Sequence, residues 1–271
     1  MTSPVVESEI TALAAEPKAA LVIVHGLAEY AGRYRAIAQA FASRGITTFA
    51  YDQIGHGADD GPRTHIDQFD LFVDDASEAC TQFAERVPGV PLFVWGHSMG
   101  AIVALHLAAR GTPALAGLIV SSNSLEVFKA GLNPLNSFFR FASRLAPKIR
   151  IPLGLDARKI SHDESMQRAY ANDPLIPKTA SLRLIVEFAQ ACEVARSDAP
   201  TIGVPTLIVH GEADAIAPAK ASQVLFDTIG ASDKQLKIFP GLRHEVHNER
   251  AADQEAFFEL LSGWILARSA R

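Results

Sequence analysis

The 271-residue chain contains two cysteines, Cys80 and Cys192, and they lie far apart in sequence. That excludes a disulfide framework and a thiolate zinc site, so both read as small buried hydrophobes. A basic surplus is also missing. Twenty-five Lys and Arg against 30 Asp and Glu give a formal net charge of -5, and no nucleic-acid motif accompanies it, which sets nucleic acid aside as a partner. No apolar run approaches the ~20 residues that span a membrane. The acidic N-terminus "MTSPVVESEITALAAEPK" lacks the basic end and continuous apolar segment of a signal peptide, so a cytoplasmic protein is expected. Repeats and low-complexity tracts are absent as well.

What is present is material for one large core: 48% of residues are hydrophobic and 20% charged. Short β-branched or aromatic runs recur as "ALVIVHG", "GITTFAYD", "PLFVWG", "LAGLIVSS", "VPTLIVHG" and "QLKIFPG", bounded by turn-forming residues. Continuous apolar runs of this kind suit strands covered on both faces. Helically spaced segments lie between them, including "GRYRAIAQAFASRG", "FDLFVDDASEACTQFAERV", "SMGAIVALHLAARG", "AKASQVLFDTIG" and "DQEAFFELLSGWILARSA". Alternation of strand and helix predicts a mostly parallel sheet with helices on both faces.

The rhythm breaks between Asn123 and Gln190, where Phe-rich, Pro-punctuated segments such as "NPLNSFFRFASRLAPKIRIPLG" contain no strand-like run. A structureless loop of that length is uncommon in a compact domain, so residues 123–190 are expected to form an inserted helical cap on a core of 1–122 and 191–271.

"GHSMG" has the form G-x-S-x-G, follows the apparent strand "PLFVW" and opens the apparent helix "AIVALHLAA". That context predicts a nucleophile elbow, with the Ser98 hydroxyl raised above the sheet and the Met99 N–H beside it at a helix N-terminus. Side chains at Gly96 and Gly100 would collide with so tight a turn.

A serine hydroxyl needs a base, and the base needs a carboxylate to orient it. Downstream of Ser98 stand His106, His162, His210, His244 and His247. His106 falls in an apolar helix pattern and His210 closes a strand, so both read as structural, and His162 sits in the expected cap. His244 and His247 in "RHEVHNE" follow the last strand, with His244 nearer its end and preferred. For the acid, Asp214 in "HGEADAIAP", Glu212 just before it and Glu126 remain open. "VHGLAEYAGRY" ends an earlier strand and offers the Leu27 N–H as partner to Met99 in an oxyanion hole. Asp52 and His56 in "DQIGHG" read as turn-stabilising, and Glu29 and Arg33 are read with the same caution.

Together these segments resemble, over almost the full chain, a monoacylglycerol lipase-like α/β-hydrolase of the lysophospholipase and serine aminopeptidase grouping. "HGLAEYAGRY", "DQIGHG", "GHSMG", "NDPL", "HGEADAIAP" and "RHEVHNE" are similar, in order, to that family's motifs. The resemblance implies the α/β-hydrolase fold, Ser98 as nucleophile, His244 as base, Asp214 as acid, and the Leu27 and Met99 N–H groups as oxyanion hole. Leu27 is a departure, since the family is expected to carry a smaller residue after His-Gly. The implied reaction cleaves single-chain lipid esters such as monoacylglycerols through an acyl-enzyme, and it needs no metal or organic cofactor.

The same site also serves lysophospholipases, thioesterases, short-chain esterases and aminopeptidases, and a non-catalytic binding protein would be marked by loss of a triad member. Within 123–190, ten Lys or Arg oppose six Asp or Glu, a surplus of +4, which disfavours a pocket for a substrate amine. On the segment "LNSFFRFASRLA", ended by Pro147, Leu135, Phe138, Phe139, Ala142 and Leu145 share one arc, with Arg140 and Arg144 outside it. The pattern alone also fits a helix with a core face and a solvated face; the family resemblance implies a lid instead, in which Phe138 and Phe139 line the acyl passage or touch a bilayer, with transient peripheral contact to membranes through the cap.

Overall fold

The computed structural model describes residues 8–128 and 136–270. In chain order its strands are β1 (Glu9–Ala12), β2 (Ala19–Val24), β3 (Ile46–Tyr51), β4 (Leu92–His97), β5 (Gly117–Ser121), β6 (Arg150–Pro152), β7 (Thr179–Ser181), β8 (Thr206–Gly211) and β9 (Lys234–Phe239). Seven of them form one sheet in the order β1-β3-β2-β4-β5-β8-β9. All neighbours are parallel except the edge pair β1 and β3. The helices are α1 (Arg35–Ala42), α2 (Asp70–Arg86), α3 (Met99–Arg110), α4 (Ser137–Leu145), α5 (Glu164–Asn172), α6 (Leu182–Asp198), α7 (Lys220–Thr228) and α8 (Ala251–Ser269).

Every residue of β2, β3, β4, β5 and β8 is buried, as continuous apolar runs require when both faces are covered. Alternate side chains feed two separate cores. Val22, Val94, Val120 and Ile208 pack with α2, α3, α6 and α7, whereas Ile23, Trp95, Ile119 and Val209 pack with α1 and α8. This is the α/β-hydrolase fold. Order reverses between β2 and β4, whose ends meet at the register Val24 to Gly96, and ligands of open parallel sheets bind at such a switch point.

The segment between β5 and β8 differs from its expectation in two ways. β6 and β7 form an antiparallel ribbon, Arg150 opposite Ser181; three-residue strands are too short for alternation to register in the sequence. Position 190 also falls inside α6, whose Leu184, Phe188, Ala191, Cys192 and Ala195 all join the main core, so no break in packing occurs there. Helix α4 starts where Asn136 Oδ1 accepts from the Phe139 N–H at 2.9 Å and stops before Pro147. Its face is rotated from the predicted arc. Phe138, Phe141 and Leu145 are 70%, 62% and 71% exposed, while Phe139 and Ala142 turn half inward. Leu135, expected on that arc, lies outside the described residues. Among the described residues no helix is long and apolar enough to cross a membrane.

Candidate active site

Strand β4 ends at His97 and α3 begins at Met99, which leaves Ser98 alone to make the turn. Its backbone sits at φ 53°, ψ -115°, a conformation that costs a non-glycine residue about 1–3 kcal/mol and persists only where the surroundings enforce it. The Ser98 N–H donates to the Ser121 carbonyl at 3.0 Å. A Cβ on Gly96 would lie 2.3 Å from the Gly100 carbonyl oxygen, and one on Gly100 would lie 2.1 Å from that of Val24. The two glycines let the start of α3 press on its own strand and on the end of β2.

His244, in the loop after β9, stands between Ser98 and Asp214. Its Nε2 is 3.1 Å from Ser98 Oγ and its Nδ1 is 2.6 Å from Asp214 Oδ2. Facing a carboxylate, Nδ1 carries the proton, so Nε2 accepts from the serine hydroxyl. Asp214 Oδ1 accepts from the Ile216 and Ala217 N–H groups at 2.8 and 2.9 Å. Burial alone would raise the Asp214 carboxyl; His244 and His210 outweigh it and hold it well below the usual carboxylate range. Burial likewise pushes His244 down, but Asp214 prevails and leaves it above its ordinary 6.5. The competing acids are occupied elsewhere: Glu212 accepts from the Gly241 N–H at 3.0 Å, and Glu126 lies 3.6 Å from Arg196.

The turn after β2 abuts the elbow, since a Cβ on Gly26 would lie 3.1 Å from Ser98 Cβ. Met99 is the first residue of α3, so its N–H is one of the donors a helix leaves unpaired. His25 braces the turn: Nδ1 donates to the Gly26 carbonyl at 2.8 Å and Nε2 accepts from the Gln53 N–H at 3.1 Å. Asp52 accepts from the N–H groups of Ala31 and Ala58, both at 2.7 Å, and His56 bonds the Ile54 carbonyl at 3.0 Å. Both tie turns together, as their sequence context suggested.

A buried charge cluster lies beside the serine. Arg33 binds Glu245 through both terminal nitrogens at 2.8 and 2.7 Å and reaches Glu29 at 3.0 Å. Desolvation pushes Glu29 up to about 7 despite Arg33, whereas the forked Arg33 contact overcomes burial and holds Glu245 down. Among the described residues, Glu29, His97 and Glu245 alone bring three potential metal-ligand atoms within 4.8 Å of one another. The Arg33 guanidinium already supplies positive charge there. His247 is buried against Tyr34, Trp95, His97 and Phe257, and desolvation lowers it to about 3; it does not reach Ser98. The sequence signal for this cluster was the four-residue spacing of Glu29 and Arg33 and the position of Glu245 next to His244. Its pairing across the fold was not legible.

Ser98 and His244 open into a cavity of about 320 Å³ whose walls include Leu27, Val127, Phe128, Leu153, Ile185 and Phe188. Phe138 and Phe139, expected at the acyl passage, are not among its lining residues; Phe128 and Phe188 stand there, ring to ring at 5.2 Å. Polar contacts join the roof to the floor. Tyr30 donates to Asp173 Oδ2 of "NDPL" at 2.7 Å, and Arg33 lies over the Tyr170 ring at 5.0 Å.

A sheet of this order with a serine at the elbow and a histidine between it and a buried aspartate defines the class of α/β-hydrolases built for nucleophilic catalysis. The family model for "Serine aminopeptidase, S33" matches residues 15–251. The chain is 31% identical over 257 residues to a monoacylglycerol lipase of Mycolicibacterium smegmatis, covering 93% of this chain and 89% of that one. It is 29% identical over 259 residues to the monoglyceride lipase of Homo sapiens, covering 94% and 84%. A crystal structure of a Paleococcus ferrophilus monoacylglycerol lipase superposes with a TM-score of 0.84 at 26% identity, covering 96% of this chain and 98% of that one. The chain belongs to the serine aminopeptidase S33 family. Within it the protein is a serine ester hydrolase of the monoacylglycerol lipase-like group.

Proposed function

We propose that the protein hydrolyses monoacylglycerols or similar single-chain lipid esters, with Ser98 as nucleophile, His244 as general base and acid, and Asp214 as orienting carboxylate. The observation that carries this reading is His244 held at 3.1 Å from Ser98 and 2.6 Å from Asp214. Ser98 Oγ attacks the ester carbonyl as its proton passes to His244 Nε2. The Leu27 and Met99 N–H groups stabilise the oxyanion. Collapse expels the alcohol, which takes the proton from His244, and a water activated by the same imidazole releases the fatty acid. Within 123–190 the stretch between Leu125 and α6 acts as the cap, and Val127 and Phe128, with Ile185 and Phe188 of α6, offer an acyl chain apolar surface beside the serine.

An ester fits this site better than a peptide with a free amine. A substrate ammonium would need an uncompensated carboxylate, yet Glu29 and Glu245, which both line the cavity, are already bound to Arg33. The exposed Phe138, Phe141 and Leu145, with Ile149 at 50% exposure, form an apolar surface flanked by the exposed Arg140, Arg144 and Lys148. That combination suits shallow contact with an anionic lipid surface and gives the lipid substrate a route to the cap.

The test is covalent labelling with a fluorophosphonate probe, followed by a hydrolysis panel of monoacylglycerols, diacylglycerols, lysophospholipids, short esters and aminoacyl amides. Ser98→Ala should abolish labelling and lower turnover by about a thousandfold or more. Label persisting on that variant would place the nucleophile elsewhere, and preference for the amides would replace the ester reading.

A further inference from the structure

We propose that His210, Ser222 and Asn123 form a second hydrogen-bonded chain, behind Asp214, that positions the acid and tunes how tightly His244 holds its proton. The proposal rests on the triad reading above. His210 Nε2 lies 3.0 Å from Asp214 Oδ2, the same oxygen that receives the His244 N–H. It also lies 2.9 Å from the Ala217 carbonyl. Two acceptors on one ring nitrogen require a proton on it, so His210 is a donor to the acid. Its Nδ1 is 2.7 Å from Ser222 Oγ, which is 2.8 Å from Asn123 Nδ2.

Polarity along this chain follows by elimination. The Asn123 amide nitrogen can only donate, so Ser222 Oγ accepts from it, and toward a neutral His210 ring whose proton is on Nε2 it directs its own hydroxyl proton to Nδ1. Asn123 Oδ1 is turned the other way, accepting from the Leu125 N–H at 3.3 Å. Asn123, Ser222 and His210 are each fully buried, so water does not substitute for any link. Asn123, just past β5, thereby favours one tautomer of a histidine on β8, and that tautomer presents its N–H to the acid.

The consequence is chemical. Asp214 receives protein N–H groups on both oxygens, and each donor makes the carboxylate a weaker acceptor for the proton of His244. With the His210 donor removed, Oδ2 carries more negative charge toward His244 and stabilises the imidazolium more strongly. His244 must be neutral to take the Ser98 proton, so the acid limb of kcat/KM moves to higher pH. The other ionisable groups around His244 are Glu245 on its own loop, Glu29 and Arg33 beyond the oxyanion turn, His97 on the elbow strand, and His247. All remain in variants of the second chain, so a displaced limb reports that chain.

The experiment is the pH profile of kcat/KM on a soluble short-chain ester for the wild type and for His210→Phe, His210→Gln, Ser222→Ala and Asn123→Ala. His210→Phe should move the acid limb up by about 0.5–1 pH unit and lower the plateau by about tenfold or more. His210→Gln restores an N–H toward Asp214 and an acceptor toward Ser222, so its limb should stay with the wild type. Ser222→Ala and Asn123→Ala should shift the limb in the same direction by less. A plateau that falls with the limb unmoved in His210→Phe would make His210 a packing residue and overturn the proposal. If His210→Phe does not fold, an unmoved limb in both Ser222→Ala and Asn123→Ala overturns it equally. A wild type without ester turnover or Ser98 labelling would instead refute the triad on which the proposal stands.

Discussion

Gly100→Ala tests how tightly the elbow is pressed against the turn that carries Leu27. The added methyl would meet the Val24 carbonyl oxygen at 2.1 Å and that of His25 at 2.4 Å, where a carbon and a carbonyl oxygen need about 3.3 Å. The shortfall is about 1 Å. Both obstacles are backbone atoms at the end of β2, which is hydrogen-bonded to β3 and β4 on either side, so no side chain can swing away. Overpacking of this kind costs about 1–3 kcal/mol, or a Tm lower by about 2–4 °C per kcal/mol for a chain of this size. The displacement also separates the Leu27 N–H, proposed as an oxyanion donor, from Ser98, and about 1 Å of misplacement costs on the order of a hundredfold in rate. Steady-state kcat/KM on a soluble ester and a thermal melt measure both effects. Gly263 is the control: it lies in α8 with nothing within 4 Å of an added Cβ, so Gly263→Ala should raise stability by about 0.5–1 kcal/mol and leave activity unchanged. A Gly100→Ala enzyme within threefold of wild type and melting at the same temperature would refute this account of the elbow.

Three further outcomes follow from the same geometry. Arg33→Met strands Glu29 and Glu245 without their cation in a buried site and should cost about 3–5 kcal/mol in chemical denaturation; a loss below about 1 kcal/mol would mean that the pairing contributes no net stability. The acid limb of kcat/KM should have its midpoint above 6.5, because His244 is raised and must be neutral to act, and Glu29→Gln should lower that midpoint, since Glu29 is one of the charges that raise it. A limb unmoved by Glu29→Gln would contradict the latter. Arg140→Glu with Arg144→Glu should weaken binding to anionic vesicles and slow long-chain monoacylglycerol turnover while sparing a short soluble ester; equal losses on both substrates, or none, would reduce α4 to packing.

Legibility in the sequence followed the range of the interaction. "GHSMG", "HGEAD" and "RHEVH" announce themselves because a strand-to-helix turn and two strand-end loops impose local residue choices, and these placed Ser98, Asp214 and His244 in the order the fold brings together. The six apolar runs became β2, β3, β4, β5, β8 and β9 for the same local reason. The four-residue strand β1 escaped notice, as did β6 and β7, because a strand so short has almost no period. The pattern of α4 states which residues share a face, not which face meets the protein, so it left Phe138 and Phe139 between the acyl passage and a bilayer; Phe138 and Leu145 of that arc are exposed. Phe141, left unassigned, proved to be exposed alongside Phe138. His210 read as a strand-closing residue; nothing within "VHGEAD" reveals that its ring meets Ser222, brought from the next helix.

The stretch "SSNS", which starts at the last residue of β5, shows why the strand-helix alternation can stop there without loosening the site. Ser121 Oγ meets Trp95 Nε1 at 2.7 Å and His97 Nδ1 at 3.0 Å, which holds the elbow strand. Ser122, in the left-handed region at φ 45°, donates to the His244 carbonyl at 2.7 Å. Asn123 reaches Ser222 at 2.8 Å, and Ser124 Oγ lies 3.4 Å from Ser98 Oγ. Consecutive residues thus attach to the elbow strand, the His244 loop, Ser222 beside His210, and Ser98. A movement that begins at any of them would disturb the hydrogen bonds around Ser98, His244 or Asp214. Leu125 is anchored too, its N–H to Asn123 and its carbonyl to Arg196 of α6. A movement of the following segment that leaves these hydrogen bonds intact must therefore pivot beyond Leu125. Ser121 to Leu125 are accordingly tied to the sheet and its strand-end loops, although their sequence marks the point where strand and helix stop alternating.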